Sequence, residues 1–365
     1  MKVALVRRRF SSVGGGELYL QRLMSALLTR GHSLHLLSQS WDGLDPCIQH
    51  HPIASGHSRG QRALRFAQEV ERTLQTLRVD CVLSLERTFK QDIYRAGDGV
   101  HAVWLERQKA FAPLWKKPFC GIATHHRNLL ALERKTFDPR NTRFVIANST
   151  MVRDEILRHF PFPGERICVI PNGVDLQRFA NPEQSAARLE FGIESGTFVL
   201  LFVGSGWERK GLAFTLQLLR DLREKKALFP PSIRSVKLLV AGKGRPPLFR
   251  DSDVIYAGPL QHVEKAYAAS DLLAFLPIYE PAANVVTESL ASGLPVLTTA
   301  FNGAAEWIVP GSNGHILAAP SDRFAALEAA LFWMHRGGRL PAPNSDLSMD
   351  RNVEKTLQLI LQTQG

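Results

Sequence analysis

Along most of the chain, short runs of consecutive apolar residues alternate with stretches in which apolar positions recur every three or four residues. The runs have the length of buried strands, and the stretches have the period of helices packed on one face. Lys2–Val6 opens as a strand and leads into Gly14-Gly15-Gly16. The helix predicted next places Leu20, Leu23, Met24, Leu27 and Leu28 on one face and stops at Gly31. Leu34–Leu37 and Val79–Leu85 are further buried strands, with a helical stretch over Gln61–Leu77 between them. Arg143–Ala147 adds another strand, and Asn148-Ser149-Thr150 caps a helix from Met151 to His159. Ile167–Ile170 closes this series.

Pro171-Asn172-Gly173-Val174-Asp175 then interrupts the pattern with turn-forming residues, as a hinge would. The rhythm resumes with Phe198–Val203, a glycine-containing loop and a helix from Leu212. Strands at Val236–Ala241, Val254–Ala257, Leu272–Leu276 and Val296–Thr299 follow, the last leading to an Asn302-Gly303 turn. Such alternation predicts doubly wound α/β architecture, and 365 residues suffice for two domains. One is expected over residues 1–170 and a second over 171–346, with a last helix over 347–362 after the break at Pro341–Asn344.

A hydrophobic content of 45% against 22% charged residues describes a soluble protein with a sizeable core. Cys47, Cys81, Cys120 and Cys168 lie far apart without metal-ligand spacing, which favours a reducing compartment. The apolar run at the N-terminus is too short for a signal peptide, and no stretch approaches the roughly 20 apolar residues that span a bilayer. A cytoplasmic location is therefore expected. Net charge is +11, and residues 1–170 carry all of the excess, with 26 Lys+Arg against 15 Asp+Glu. An anionic partner for that half follows: nucleic acid, an acidic membrane, or a phosphorylated substrate.

The densest chemistry lies at Tyr279-Glu280-Pro281-Ala282-Ala283-Asn284-Val285-Val286-Thr287-Glu288. Two carboxylates stand eight residues apart, the first in a Pro-marked loop and the second in an apolar helical pattern that stops at Gly293-Leu294-Pro295. A helix starting near Asn284 puts Glu288 about one turn, roughly 6 Å, beyond its tip. The free amides at that tip form an anion site. A ligand with a phosphate between two hydroxyl-rich groups, such as a nucleotide-sugar, suits this layout.

This segment resembles the Glu-x7-Glu motif of retaining glycosyltransferases of family 4. The resemblance implies that Glu280 holds the donor sugar and Glu288 the nucleotide ribose, with Ala283, Asn284 and Val285 beside them. The family often has Gly where this chain has Ala283. Gly204-Ser205-Gly206-Trp207-Glu208-Arg209-Lys210-Gly211 follows a strand, and adjacent cations there can neutralise a diphosphate. By the resemblance Arg209 and Lys210 grip the donor pyrophosphate, and Gly204 and Gly242 line the donor site. Gly15 and Gly16 in the first loop lack the third glycine of the G-x-G-x-x-G fingerprint. The resemblance has them touch donor phosphate and acceptor. Asp98 and His101 end a short strand, where ligands meet open α/β sheets, and are acceptor-side candidates; Asp98, Glu280, Arg209 and Lys210 make up the catalytic set.

The family shares the GT-B fold, two Rossmann-like domains facing a central cleft, with a last helix that packs back on the first domain. Closure across Pro171–Asp175 would exclude water. No metal and no cofactor is implied; the nucleotide-sugar is a substrate. Gly31-His32, Ser38-Gln39-Ser40-Trp41-Asp42-Gly43 and Glu133-Arg134-Lys135-Thr136-Phe137 resemble more narrowly the lipopolysaccharide inner-core heptose glucosyltransferases. That match implies a UDP-glucose donor and an acidic lipid-linked glycan acceptor at the inner face of the cytoplasmic membrane. Independently, residues 102–130 mix Trp104, Phe111, Trp115 and Phe119 with five bases and one acid, which suits an anionic membrane surface. Asp251-Ser252-Asp253 mimics a metal-binding D-x-D but lies far in sequence from any phosphate loop. The pairs His50-His51 and His125-His126 lack a carboxylate or Cys at ligand spacing. Two other readings compete. A GT-B sugar-nucleotide epimerase would need no acidic acceptor, and a basic nucleic-acid-binding protein would leave Glu280 and Glu288 without purpose.

Overall fold

The computed structural model describes residues 1–9, 15–41, 43–54, 56, 58, 60–180, 183–246, 251–341 and 345–363. Gly14 of the first glycine loop, Asp42, and residues 342–344 of the expected break lie outside them. The chain divides into two compact units, Met1–Pro171 with Met349–Gly365, and Asn172–Ser348.

Among the described residues the first unit holds seven strands: β1 Lys2–Val6, β2 Ser33–Ser38, β3 Gln49–Pro52, β4 Cys81–Ser84, β5 Gln91–Ala96, β6 Thr142–Ala147 and β7 Ile167–Val169. They form one parallel sheet in the order β3-β2-β1-β4-β5-β6-β7. Alternating residues of β1 serve opposite faces, as strand geometry requires. Val3 and Leu5 pack with Leu20, Leu23 and Leu27, whereas Ala4 and Val6 pack with Phe66 and Val70. The Gly15–Thr29 helix supplies the first group and the Arg62–Thr76 helix the second. On the first face the Met349–Gln362 helix adds Met349, Val353, Leu357, Leu359 and Ile360 to the core. It begins two residues later than the pattern predicts, because Leu347 and Ser348 are bound to Val174 instead.

The second unit holds β8 Thr197–Val203, β9 Ser235–Ala241, β10 Val254–Gly258, β11 Leu272–Ala274, β12 Val296–Thr299 and β13 Gly314–Leu317. This sheet is also parallel, in the order β10-β9-β8-β11-β12-β13. All seven residues of β8 are buried, the continuous apolar run of a strand covered on both faces. The strand order reverses between β8 and β11, the place where open α/β sheets bind ligands at their carboxyl ends.

Candidate active site

The loops leaving β8 and β11 flank this switch point and carry the predicted donor residues. After β8 the backbone turns through Gly206 at φ 75°, forms one helical turn over Trp207–Lys210, and turns again through Gly211 at φ 81°. Arg209 and Lys210 therefore sit on a short helix and not on an open loop. Gly211 is obligatory: a Cβ there would lie 1.7 Å from the Leu276 carbonyl oxygen. Gly242, at φ 123°, lets the β9 loop close on the β8 loop, since its Cβ would meet the Gly204 carbonyl oxygen at 2.4 Å. Gly242 thus serves the close approach of the two loops, whereas a Cβ on Gly204 itself would meet the Lys210 side chain at 2.6 Å.

Glu280 is bound through its backbone. Its N–H donates to Phe301 O (2.8 Å) and its C=O accepts from Gly303 N–H (2.9 Å). Arg209 Nη1 lies 2.9 Å from Glu280 Oε2, close enough for an ion pair but off the line of a hydrogen bond. That buried oxygen accepts no hydrogen bond among the described residues. Asn302 props the same loop, its Oδ1 accepting from Ala283 N–H (3.2 Å) and Ala304 N–H (3.1 Å).

The Asn284–Ala291 helix begins four residues after Glu280, and its N-cap, Ala283, offers no side-chain acceptor. Among the described residues, the first-turn amides of Asn284 and Val285 have no partner. Ala283 and Val285 bury their side chains, and the Ala283 N–H is taken by Asn302, so of these two the main-chain N–H of Val285 is what remains for a ligand. Glu288, one turn in, accepts a 2.7 Å hydrogen bond from Tyr267 Oη. Part of the residue stays accessible, yet the carboxylate is enclosed, and burial raises its pKa. Tyr267's donation and the charges of Arg178 and Lys210 oppose that rise. The Tyr267 hydroxyl is itself pushed well above its usual pKa, by burial first and then by Glu288. Arg209 thus pairs with Glu280, while Arg178 and Lys210 both act on Glu288.

In the first unit, Gly15 and Gly16 open the Gly15–Thr29 helix. Asp98 follows β5 with its side chain 78% exposed, 4.0 Å from Arg87 Nη1. Arg87 is buried and held elsewhere, donating to Glu133 Oε1 (3.0 Å) and to Gly99 O (2.8 Å). Glu133, fully buried, also accepts from the N–H groups of His101 (2.6 Å) and Ala102 (3.2 Å). It thereby caps the His101–Phe111 helix and fixes the turn that presents Asp98. The His101 ring is buried and meets His126 Nδ1 at 3.0 Å through Nε2. Burial, then Arg87 and His126, lower its pKa to about 4, so it is neutral at physiological pH. The structure therefore presents Asp98 to solvent and encloses His101.

Residues 102–130 are not one amphipathic helix. The His101–Phe111 and Thr124–Thr136 helices flank a 3₁₀ segment, Leu114–Phe119, whose internal Pro118 has no N–H for an α-helical hydrogen bond. Leu114, Trp115, Phe119 and Ile122 are 62–83% exposed there, beside Lys116 and Lys117. Asp251 and Asp253 both bind Arg223, at 2.7 and 3.5 Å. His50 bonds Ser38 and His51 bonds His35, and no group of three or more potential metal ligands occurs among the described residues. None of their helices is long and apolar enough to cross a membrane. Tyr267, Asn302, Arg87 and the capping role of Glu133 were not foreseen from sequence. The sequence marks Asn302-Gly303 only as a turn and Glu133 only as part of the Glu133–Phe137 resemblance.

Two family models match in succession: Glycosyltransferase Family 4 over residues 13–178 and Glycosyl transferases group 1 over 197–336. The lipopolysaccharide glucosyltransferase WaaG of Escherichia coli (strain K12) is 29% identical over 339 residues, covering 88% of this chain and 86% of that protein. A crystal structure of WaaG, a glycosyltransferase involved in lipopolysaccharide biosynthesis, superposes with a TM-score of 0.76 at 24% identity, covering 99% and 97% of the two chains. Anabaena Alr3699/HepE in complex with UDP-glucose superposes with a TM-score of 0.64 at 16% identity, covering 98% and 99%. With both models matched in order over most of its length, the chain belongs to the glycosyltransferases that join a family 4 domain to a group 1 domain on the GT-B fold.

Proposed function

We propose that this protein transfers glucose from UDP-glucose, with retention at the anomeric carbon, onto a lipid-linked phosphorylated glycan such as the lipopolysaccharide inner core. The observation that carries the donor half is the buried Glu280 Oε2, an acceptor without a donor beside unpartnered helix-tip amides. A buried acceptor of this kind calls for a hydroxyl partner. A sugar hydroxyl supplies it, with the diphosphate at the helix tip and the ribose at Glu288. The UDP-glucose complex of the Anabaena neighbour and the glucosyltransferase activity in the name of the Escherichia coli relative favour the same donor.

In the reaction the bond from C1 to the diphosphate oxygen breaks while the acceptor oxygen bonds C1 on the same face. The acceptor's proton passes to the departing diphosphate oxygen. Negative charge grows on that leaving group, and Arg209, Lys210 and the amides of Asn284 and Val285 are the groups that stabilise it. These cations take the role a divalent metal has elsewhere, so no metal is required. On the acceptor side Asp98 is exposed to receive a hydroxyl, and the excess positive charge of residues 1–170 suits an acidic acceptor. The exposed Leu114, Trp115, Phe119 and Ile122, flanked by Lys116 and Lys117, favour peripheral attachment at the inner face of the membrane.

The test is incubation of UDP-glucose with the protein and a truncated lipopolysaccharide, followed by NMR of the product's anomeric proton. An α-linked glucoside is expected. A β-linked product overturns retention, and a UDP-sugar epimer formed without acceptor points to the epimerase reading.

A further inference from the structure

Asn172 is the first residue of the second unit, and the donor site described above gives it no role. Its Nδ2 donates to Ala282 O (3.1 Å) and to Asn284 Oδ1 (2.8 Å). The two ends of an asparagine amide look alike in shape, so their assignment must come from partners. Here it does. A main-chain carbonyl can only accept, so the atom that Asn172 presents to Ala282 must be its NH2 group. The second hydrogen of that group reaches Asn284, and the atom receiving it must be the side-chain oxygen.

This fixes the Asn284 amide in turn. With Oδ1 committed to Asn172, the end left for a ligand at the helix tip is Nδ2, which carries two donors. It joins the main-chain N–H groups of Asn284 and Val285, which have no partner among the described residues. The reverse orientation would set lone pairs against an anion.

We propose that Asn172 is a positioning residue that orients the Asn284 side chain so that its NH2 group binds the donor diphosphate. This rests on the donor reading given under the proposed function. It assigns the linker residue a part in phosphate recognition although it touches no ligand.

Titration calorimetry with UDP and with uridine separates the possibilities. In Asn172→Ala the UDP affinity should fall about tenfold, the scale of a hydrogen bond to a charged group, while uridine affinity stays unchanged. Asn284→Ala should match it, and the double variant should be no weaker than either single. Asn172→Asp, an isostere that keeps the test alive if Asn172→Ala does not fold, should lose more UDP affinity than the alanine variant. Its carboxylate would draw Asn284 Nδ2 towards itself and turn Oδ1 to the phosphate. Unchanged UDP affinity in Asn172→Ala, equal losses for UDP and uridine, or additive losses in the double variant each overturn the proposal. A wild-type protein that ignores UDP overturns the donor reading itself, and this inference with it.

Discussion

Glu280 and Glu288 are held in different ways, and the difference predicts different phenotypes. Glu288 accepts from Tyr267 inside the second unit and is assigned to the ribose, so Glu288→Ala should weaken UDP itself, about tenfold or more. Glu280, assigned to the sugar, should lose turnover in Glu280→Ala while UDP affinity holds. Calorimetry with UDP decides, and equal losses would sink the split. Stability carries a second signature. Burial raises the Glu288 pKa, so the folded state favours the protonated acid. That preference is fully expressed below the ordinary glutamate value of 4.5 and is lost as pH rises through the raised value. Glu288→Gln keeps an acceptor for Tyr267 and removes the enclosed charge. It should therefore raise the melting temperature more at pH 8 than at pH 5 while weakening UDP. The motif residues were legible because they are neighbours in sequence. Tyr267 and Asn172 were not as partners, because hydrogen bonds to residues 21 and 112 positions away leave no periodic trace.

At the scale of elements, strands with apolar runs were legible and polar ones were not. β3 reads Gln49-His50-His51-Pro52 and lies at the edge of its sheet, where one side needs no apolar neighbour. β13 is short and also an edge strand. Buried strands such as β8 announce themselves because both faces must be apolar. The segment between the His101–Phe111 and Thr124–Thr136 helices shows a different limit: its composition was legible, but its 3₁₀ conformation and the exposure of its aromatic side chains were not. With Trp115 70% and Phe119 73% exposed beside Lys116 and Lys117, this element is the candidate membrane contact. Polybasic attraction is worth about 1 kcal/mol per Lys near an anionic surface. Replacing both lysines by Glu should therefore weaken binding to anionic vesicles by roughly thirtyfold or more at low salt, 1.4 kcal/mol being tenfold. UDP affinity should be unchanged. Co-sedimentation at low and high salt measures it, and wild-type protein that ignores anionic vesicles at low salt removes the membrane claim.

At the scale of the whole molecule, the chain passes between its units twice, at Pro171–Asn172 and at Ser348–Met349. The last helix therefore stabilises the unit that begins the chain. Its docking is apolar inside and ionic outside: Ile360 and Leu357 are buried, while Arg22–Asp350 (3.0 Å) and Arg30–Glu354 (2.6 Å) lie at the surface. The exposed pairs each contribute little, about 0.2–1 kcal/mol, so the buried side chains carry the attachment. Ile360→Ala should cost about 2–5 kcal/mol, whereas Glu354→Ala should cost under about 1 kcal/mol. UDP binds, on the proposed reading, only to the second unit, and a ligand stabilises whatever folded region it requires. Urea unfolding followed by hydrogen exchange of each unit's strands should thus separate the two. Ile360→Ala should lower protection in β1 and β4, and UDP should raise protection in β8 and β11. Protection of β1 that is indifferent to Ile360→Ala would mean that the returning helix is a passenger on the first unit and not part of its core.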